Sequence, residues 1–122
     1  MKSIYEYNDP GEFLRDHFLR KKQENPLLSL RSWAKTLSIS SHSILSQIIH
    51  SKRKIPFSLI PTLTANLKLL SKEKRYFEAM IEFSRAKEDK SKNYAKEKLL
   101  ILKNNSKKKL DRLIIEDFSL FE

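Results

Sequence analysis

A single glycine in 122 residues is the feature that most restricts what this chain can fold into. Glycine most readily adopts the left-handed backbone of tight turns, and it forms the loops in which backbone amides bind phosphate. With one glycine, the chain has neither of the common glycine-rich phosphate loops and no nucleophile elbow. An all-β fold, which needs turn residues roughly every 8–12 positions, is also disfavoured. We therefore expect an all-α fold.

Charge and cysteine content narrow the functional classes. The chain has no cysteine, which excludes disulfides, thiol catalysis and cysteine-based metal sites. Its net charge of +10 predicts a polyanionic partner, with nucleic acid ahead of an anionic membrane surface. No apolar run approaches the roughly 20 residues of a membrane span, and Glu6, Asp9 and Glu12 do not fit a signal peptide. We expect a cytoplasmic protein that associates with the nucleoid, without a membrane partner.

Apolar residues recur at helical spacing through most of the chain, and several recurrences follow a residue that commonly caps a helix. Five helices are predicted within residues 1–87. They begin after Asp9, at Ser29, near Ser41, near Ser58 and at Ser71. The fourth is predicted to end at about residue 69.

The distribution of charge predicts two parts in the chain. Residues 1–84 carry a net charge of +6, whereas residues 85–112 carry +7. We therefore predict a first domain over 1–87 and a basic helical extension over 88–122. The extension is a candidate dimerisation segment or linker.

Within the extension, a sixth helix is predicted over 91–103, ending before Asn104 and Asn105. The tail after it allows two interpretations. Its apolar residues fit one helical face, whereas 113–115 fits a short strand equally well. The residues of that face are Leu110, Ile114, Phe118 and Phe121.

Residues 29–54 are the most informative segment. A short helix has the small Ala34 at its centre, and a serine-rich turn separates it from a second helix over 41–50. One face of the second helix is apolar, and its other face is polar but uncharged. This arrangement is typical of a helix-turn-helix, whose second helix enters the major groove of DNA.

The uncharged polar face has the chemistry of base recognition. Neutral side chains discriminate bases by hydrogen bonding, and glutamine bonds bidentately to adenine. We predict that the base-reading residues are His42, Ser43, Ser46 and Gln47. Flanking cations and polar groups are expected to hold phosphates. The predicted phosphate contacts are Arg31, Ser41, His50, Lys52, Arg53 and Lys54.

The turn of this unit departs from the commonest helix-turn-helix in two ways. Ser38 stands where most such turns carry a glycine, whose use is a positive φ. The turn is also one residue longer, because Leu45 and Ile48 fit the core spacing better than Ile44 and Gln47 do. A shift of the register by one residue would exchange Ile44 or Gln47 between the buried and exposed sets.

Residues 29–54 resemble the helix-turn-helix of phage repressors and Cro. Nearly the whole chain is also similar to a family of uncharacterised bacterial proteins that are described as transcriptional regulators. The similarity lies in residues 7–14, in 29–34 (SLRSWA) and in 70–77 (LSKEKRYF). It implies a five-helix DNA-binding domain but no known ligand or target. Members of that family are longer, with a second half that begins near Asp117.

Other functions fit the sequence less well. We predict no enzyme, no cofactor, no metal and no small-molecule substrate, because His42 and His50 lie two helical turns apart and His17 has no partner in sequence. Two alternatives to DNA binding stay open. One is a protein-interaction or scaffold module that retains the fold. The other is RNA binding, which exposed aromatic rings would favour. Against it, five aromatic residues are expected at core positions, and Tyr5 and Tyr7 are the candidate exceptions. The five are Phe13, Phe18, Trp33, Phe57 and Phe77.

A single helix-turn-helix reads only a few base pairs. We therefore expect sequence-specific binding of double-stranded DNA by a homodimer on a palindromic site, most simply as a transcriptional regulator.

Overall fold

The computed structural model describes residues 2–119, and it describes side chains for residues 2–106. These residues contain six α-helices and no strand, which confirms the predicted all-α class for this part of the chain. Short 3-10 helices lie at Ile4–Glu6 and Phe57–Leu59. The α-helices are α1 (Pro10–Glu24), α2 (Leu30–Thr36), α3 (His42–Ile49), α4 (Ile60–Asn66), α5 (Ser71–Arg85) and α6 (Asp89–Ser119).

The first three helices begin where the capping residues predict. The Asp9 carboxylate accepts from the Gly11 amide at 3.3 Å. The Ser29 hydroxyl oxygen accepts from the Ser32 amide at 3.1 Å, and Ser41 caps α3 in the same way. Each cap satisfies an amide that has no partner inside its helix, and such a cap stabilises a helix by about 1 kcal/mol.

Helix α4 is shorter than predicted. The segment begins as a 3-10 turn, Pro61 lies in the first turn of the α-helix, and Lys68 ends it with a φ of 55°. The apolar spacing over 58–69 is compatible with a 3-10 helix as well as with an α-helix, so it does not show where the α-helix begins.

Helix α6 is longer than predicted, and this corrects two expectations. Its backbone continues through Asn104 and Asn105, and residues 113–115 are helical, so the short strand is wrong. Asparagine in a helix costs only about 0.7 kcal/mol, and no glycine or proline interrupts residues 89–119. Phe121 lies outside the described residues.

Helix α5 forms the centre of the core. Tyr76, Phe77 and Met80 are fully buried, and the Tyr76 hydroxyl donates to the Tyr7 carbonyl oxygen at 2.6 Å. This bond fixes the N-terminal segment across α5. These large side chains belong to the hydrophobic core, and α5 packs against α1, α6 and the N-terminal 3-10 helix, so their burial contributes to the stability of the fold.

The first turns of α6 pack against α5. Ala95 and Leu99 are buried, and the Lys98 ammonium lies 3.3 Å from the Glu82 carboxylate. The predicted extension therefore begins as a helix packed on the preceding residues. The boundary at residue 87 stays a prediction. No helix among the described residues is long and apolar enough to cross a bilayer.

The lone glycine allows close packing between α1 and α3. A Cβ at Gly11 would overlap the carbonyl oxygen of Ile48 and come within 2.9 Å of Ser51 Oγ. The hydroxyl of Ser51 donates to the Asp9 carboxylate, which also caps α1. The start of α1 is thereby fixed to the end of α3.

Candidate nucleic-acid interface

Helices α2 and α3 form a tightly anchored pair, which we call the α2–α3 pair. On the α2 side, Trp33 and Ala34 are buried. The Trp33 indole N–H donates to Asn66 Oδ1 at 3.0 Å, and its ring stacks on Phe18 at 5.6 Å between centroids. The hydrogen bond and the stacked ring fix the indole, and they thereby fix the orientation of α2 relative to α1 and α4.

The turn between α2 and α3 depends on a serine with a left-handed backbone. Ser38 has a φ of 58°, and the Ile39 amide donates back to the Ala34 carbonyl oxygen at 2.9 Å. This is a Schellman motif, in which glycine is usual. Ser38 therefore adopts the positive φ that glycine usually supplies in such a turn.

The register of α3 follows the longer turn. Leu45 and Ile48 are fully buried, with 0% and 1% of their surface exposed, and Ile49 is buried beside them. Ile44 is half-buried and Gln47 is exposed. The predicted register of α3 is therefore correct, and the register shifted by one residue is wrong.

The outer face of α3 carries the predicted base-reading residues. His42, Ser43 and Gln47 are exposed, whereas Ser46 is half-buried. The ring of His50 donates through Nδ1 to the Ser46 carbonyl oxygen at 2.8 Å. This bond engages Nδ1 and leaves Nε2 of the His50 ring for a further hydrogen bond. The face thus offers several uncharged hydrogen-bonding groups on one rigid helix.

Exposed cations precede and follow this face along the chain. Arg31 is exposed in the first turn of α2. Lys52, Arg53 and Lys54, which we call the basic turn, are exposed directly after α3. Ser41 is half-buried, and its oxygen accepts from the Ser43 amide at 3.1 Å. Of the predicted phosphate contacts, Ser41 and the basic turn therefore adjoin the two ends of α3 along the chain, and Arg31 is exposed on α2.

One signal in the sequence extends this picture. No aspartate or glutamate occurs between Glu24 and Glu73, so α2, α3 and α4 carry no carboxylate. The same stretch contains seven lysines and arginines, including the exposed Lys35 on α2. This stretch of sequence therefore carries a net charge of +7, which attracts polyanions, and the nearby Asp9 carboxylate, bonded to Ser51 beside the basic turn, offsets part of it.

The histidines are not brought together. His17 lies half-buried against Trp33, away from the exposed His42 and His50. Burial, together with the nearby cations Arg20 and Lys21, lowers the pKa of His17 to about 4. Among the residues whose side chains are described, no group of histidine and acidic side chains is arranged to hold a metal ion.

Comparison of the chain with models of protein families, with curated proteins and with solved structures found no match. The interpretation of the interface therefore depends on its own geometry and charge.

Proposed function

We propose that this protein binds double-stranded DNA sequence-specifically, as a transcriptional regulator, by inserting α3 into the major groove. The observation that carries the proposal is the construction of α3. Leu45, Ile48 and Ile49 fix its back in the core, while its front exposes neutral hydrogen-bonding side chains.

The dimensions of α3 suit this role. An α-helix with its side chains is about 10–12 Å across, which fits the roughly 12 Å width of the major groove, and the eight residues of α3 extend about 12 Å. Gln47 can bond bidentately to adenine N6 and N7, and His42 and Ser43 can bond to neighbouring base edges. Ser46, which is half-buried, contributes at most its outward hydroxyl.

Phosphate binding completes the proposed interface. Arg31 approaches the backbone from α2, and Lys52, Arg53 and Lys54 approach it from the basic turn. Ser41 and His50 add uncharged hydrogen bonds at the two ends of α3. Such contacts position a protein on DNA without reading its sequence. The carboxylate-free stretch supports this assignment, since acidic side chains would repel the phosphates.

The proposed working form is a homodimer on a palindromic site, because one eight-residue helix reads too few base pairs to select a genomic site. We assign the dimer contacts to the segment after residue 87, and we expect the protein to act on the nucleoid in the cytoplasm. The absence of homologues in the comparisons leaves the suggested regulator family as part of this proposal.

Selection of bound sequences from a random duplex pool tests the proposal. We expect an enriched palindromic motif, with an affinity that falls linearly with salt on a log–log plot. Lys52→Ala should weaken binding to selected and random duplexes alike and lower the salt slope by about one unit. Lys92→Ala, an exposed lysine of α6, is the matched control and should leave the slope unchanged. No binding at about 50 mM salt would instead favour a protein-interaction or scaffold module.

One observation favours RNA binding as a second candidate. Phe57 is not at a core position as predicted, because 52% of its surface is exposed beneath the Arg85 guanidinium, 4.9 Å from the ring centroid. Phe57, Arg85 and Tyr94 line one surface groove, and 71% of the surface of Tyr94 is exposed. Exposed aromatic rings beside cations stack unpaired bases. Competition with single-stranded RNA separates the candidates: RNA should fail to displace the selected duplex if the DNA proposal is right.

A further inference from the structure

A cavity of about 300 Å³ opens between α1, the loop that follows it, α2 and the end of α4. This volume is at the lower end of the range for small-molecule sites. Phe18 and Trp33 form an aromatic wall, with their ring planes only 15° apart, and Leu28 adds an aliphatic contact. The volume suffices for one small ring, and the small exposed parts of Phe18 and Trp33, 7% and 6% of their surfaces, together with Leu28 give it an apolar contact.

Three polar side chains of the cavity, Asn25, Asn66 and His17, already accept a hydrogen bond from the protein. The Trp33 indole N–H and the Leu27 amide are donors only, and they bind Oδ1 of Asn66 and Oδ1 of Asn25 at 3.0 and 3.2 Å. The Arg20 guanidinium, also a donor only, lies 3.2 Å from His17 Nδ1. These bonds fix the orientation of both amides and place the proton of the neutral imidazole on Nε2.

What these side chains still offer is a set of N–H donors. No described residue accepts the amide hydrogens of Asn25 or Asn66. Burial and the neighbouring cations lower the pKa of His17 to about 4, so its ring is neutral near pH 7 and retains one donor. A ligand with acceptor oxygens complements such a set, whereas a ligand that donates does not.

The mouth of the cavity carries one cation and one anion. The Lys21 ammonium lies 3.9 Å from the Glu24 carboxylate, and both side chains are more than half exposed. Thr36 also lines the cavity, and its hydroxyl donates to the Ser32 carbonyl oxygen at 3.1 Å. The two charges offset each other and are both screened by solvent, so the preference for an acceptor ligand comes from the N–H donors of the cavity.

We propose that this cavity binds a small aromatic carboxylate. Its ring packs against Phe18 and Trp33, and its carboxylate oxygens accept from the Asn25 and Asn66 amides and from His17 Nε2. The site involves no residue of the proposed DNA interface, so its test does not depend on DNA binding.

The only tryptophan of the chain lies in the wall of the cavity and reports on its occupancy. Titration of the full chain with benzoate, followed by Trp33 emission and by calorimetry, should give saturable one-to-one binding with a Kd of about 1 mM or below. Benzamide should bind more weakly, and benzylamine, which is cationic and donates, should not bind. Equal binding of benzylamine, or no saturable binding of benzoate, would overturn the proposal.

Asn66→Asp and Asn25→Asp are the sharpest variants. Each retains the oxygen that accepts from Trp33 or Leu27 and replaces the amide donor with a negative oxygen. Each should weaken benzoate binding about tenfold or more, because a hydrogen bond to a charged group is lost. Asn93→Asp, an exposed site on α6, makes the same charge change elsewhere and should have less than about a twofold effect.

Thermal unfolding shows whether each variant folds. If Asn66→Asp does not, Asn25→Asp still tests the site, because Asn25 lies in an exposed loop. Wild-type affinity in a folded Asn→Asp variant of the cavity, or an equal loss in Asn93→Asp, would show that the donors do not hold the ligand.

Discussion

Helices α3 and α6 both expose a polar face, but the two faces differ in chemistry. The exposed residues of α3 are neutral, and they include His42 and Gln47. Those of α6 are rich in lysine, with Lys90, Lys92 and Lys96 exposed in its first turns. A lysine is attracted to any phosphate, whereas a neutral donor and acceptor pair distinguishes one base from another. The comparison favours α3, and not the lysine-rich face of α6, for the proposed reading of sequence.

The two helices also differ in how they are anchored. The buried face of α3 is enclosed by α1 and α2, and Leu45 is completely buried. Helix α6 buries Ala95 and Leu99 but leaves Leu100 half exposed. A short helix with a fully enclosed back presents its front in one fixed position, which base recognition requires.

The largest expected difference between the helices is in stability. Leu45→Ala removes a fully buried side chain and should lower the free energy of unfolding by about 2–5 kcal/mol. Leu100→Ala, the matched change on α6, should cost less than about 1 kcal/mol because half of the side chain is already in water. Chemical denaturation measures both values, and equal costs would contradict the difference in anchoring.

The contact between α1 and α3 gives the next largest effect. Gly11→Ala places a methyl group against the Ile48 carbonyl oxygen, which is backbone and cannot rotate away. We expect a loss of about 1–3 kcal/mol in the free energy of unfolding. Asn104→Ala, an exposed position on α6, should be neutral or stabilising by about 0.5 kcal/mol. A Gly11→Ala protein as stable as wild type would show that α1 and α3 are packed less closely at Gly11 and Ile48 than described.

The stability of the protein should depend on pH through His17, which lies on α1 against Trp33 of α2. Its pKa is lowered from 6.5 in the unfolded chain to about 4 in the folded protein, so between these values the unfolded chain binds more protons. Stability is therefore complete above pH 6.5 and is lost as the pH falls towards 4, by about 1–3 kcal/mol.

His17→Gln should remove the loss of stability between pH 6.5 and 4, as measured by denaturation at a series of pH values. His42→Gln, on the exposed face of α3, should retain it. The assignment is wrong if both variants follow the wild-type pH profile.

The smallest expected effect is a gain of stability at the end of α4. Lys68 has a φ of 55°, which costs a side-chain-bearing residue about 1 kcal/mol or more. Lys68→Gly should relieve this cost and raise the free energy of unfolding by up to about 1 kcal/mol. Lys74→Gly, inside α5, should lower it by about 1 kcal/mol. A decrease for both variants in thermal unfolding would argue against a left-handed residue at Lys68.

The features that the sequence predicted well are local ones. Asp9, Ser29 and Ser41 cap the helices that follow them because the capping bond joins residues two or three positions apart. The buried face of α3 was predictable for the same reason, since its apolar residues repeat once per helical turn. The predicted end of the sixth helix before Asn104 and Asn105 was wrong, because the good helix formers around them outweigh the weak helix propensity of asparagine.

The features that the sequence did not reveal depend on contacts between distant residues. Nothing near Gly11 in sequence indicates that it meets Ile48, and nothing near Phe57 shows that half of its ring stays in water. The aromatic cavity likewise combines three helices and a loop. The absence of carboxylates between residues 24 and 73 was visible in the sequence, and it extends the candidate interface to Lys35.

The most direct test of the account compares Gln47→Ala on two DNAs. On the duplex selected from a random pool, the variant should lose about 1–3 kcal/mol of binding free energy, whereas its affinity for random duplex should not change. Gln23→Ala, an exposed glutamine on α1, should match wild type on both. Equal weakening on the two DNAs, or no effect on either, would contradict the assignment of base reading to the neutral face of α3.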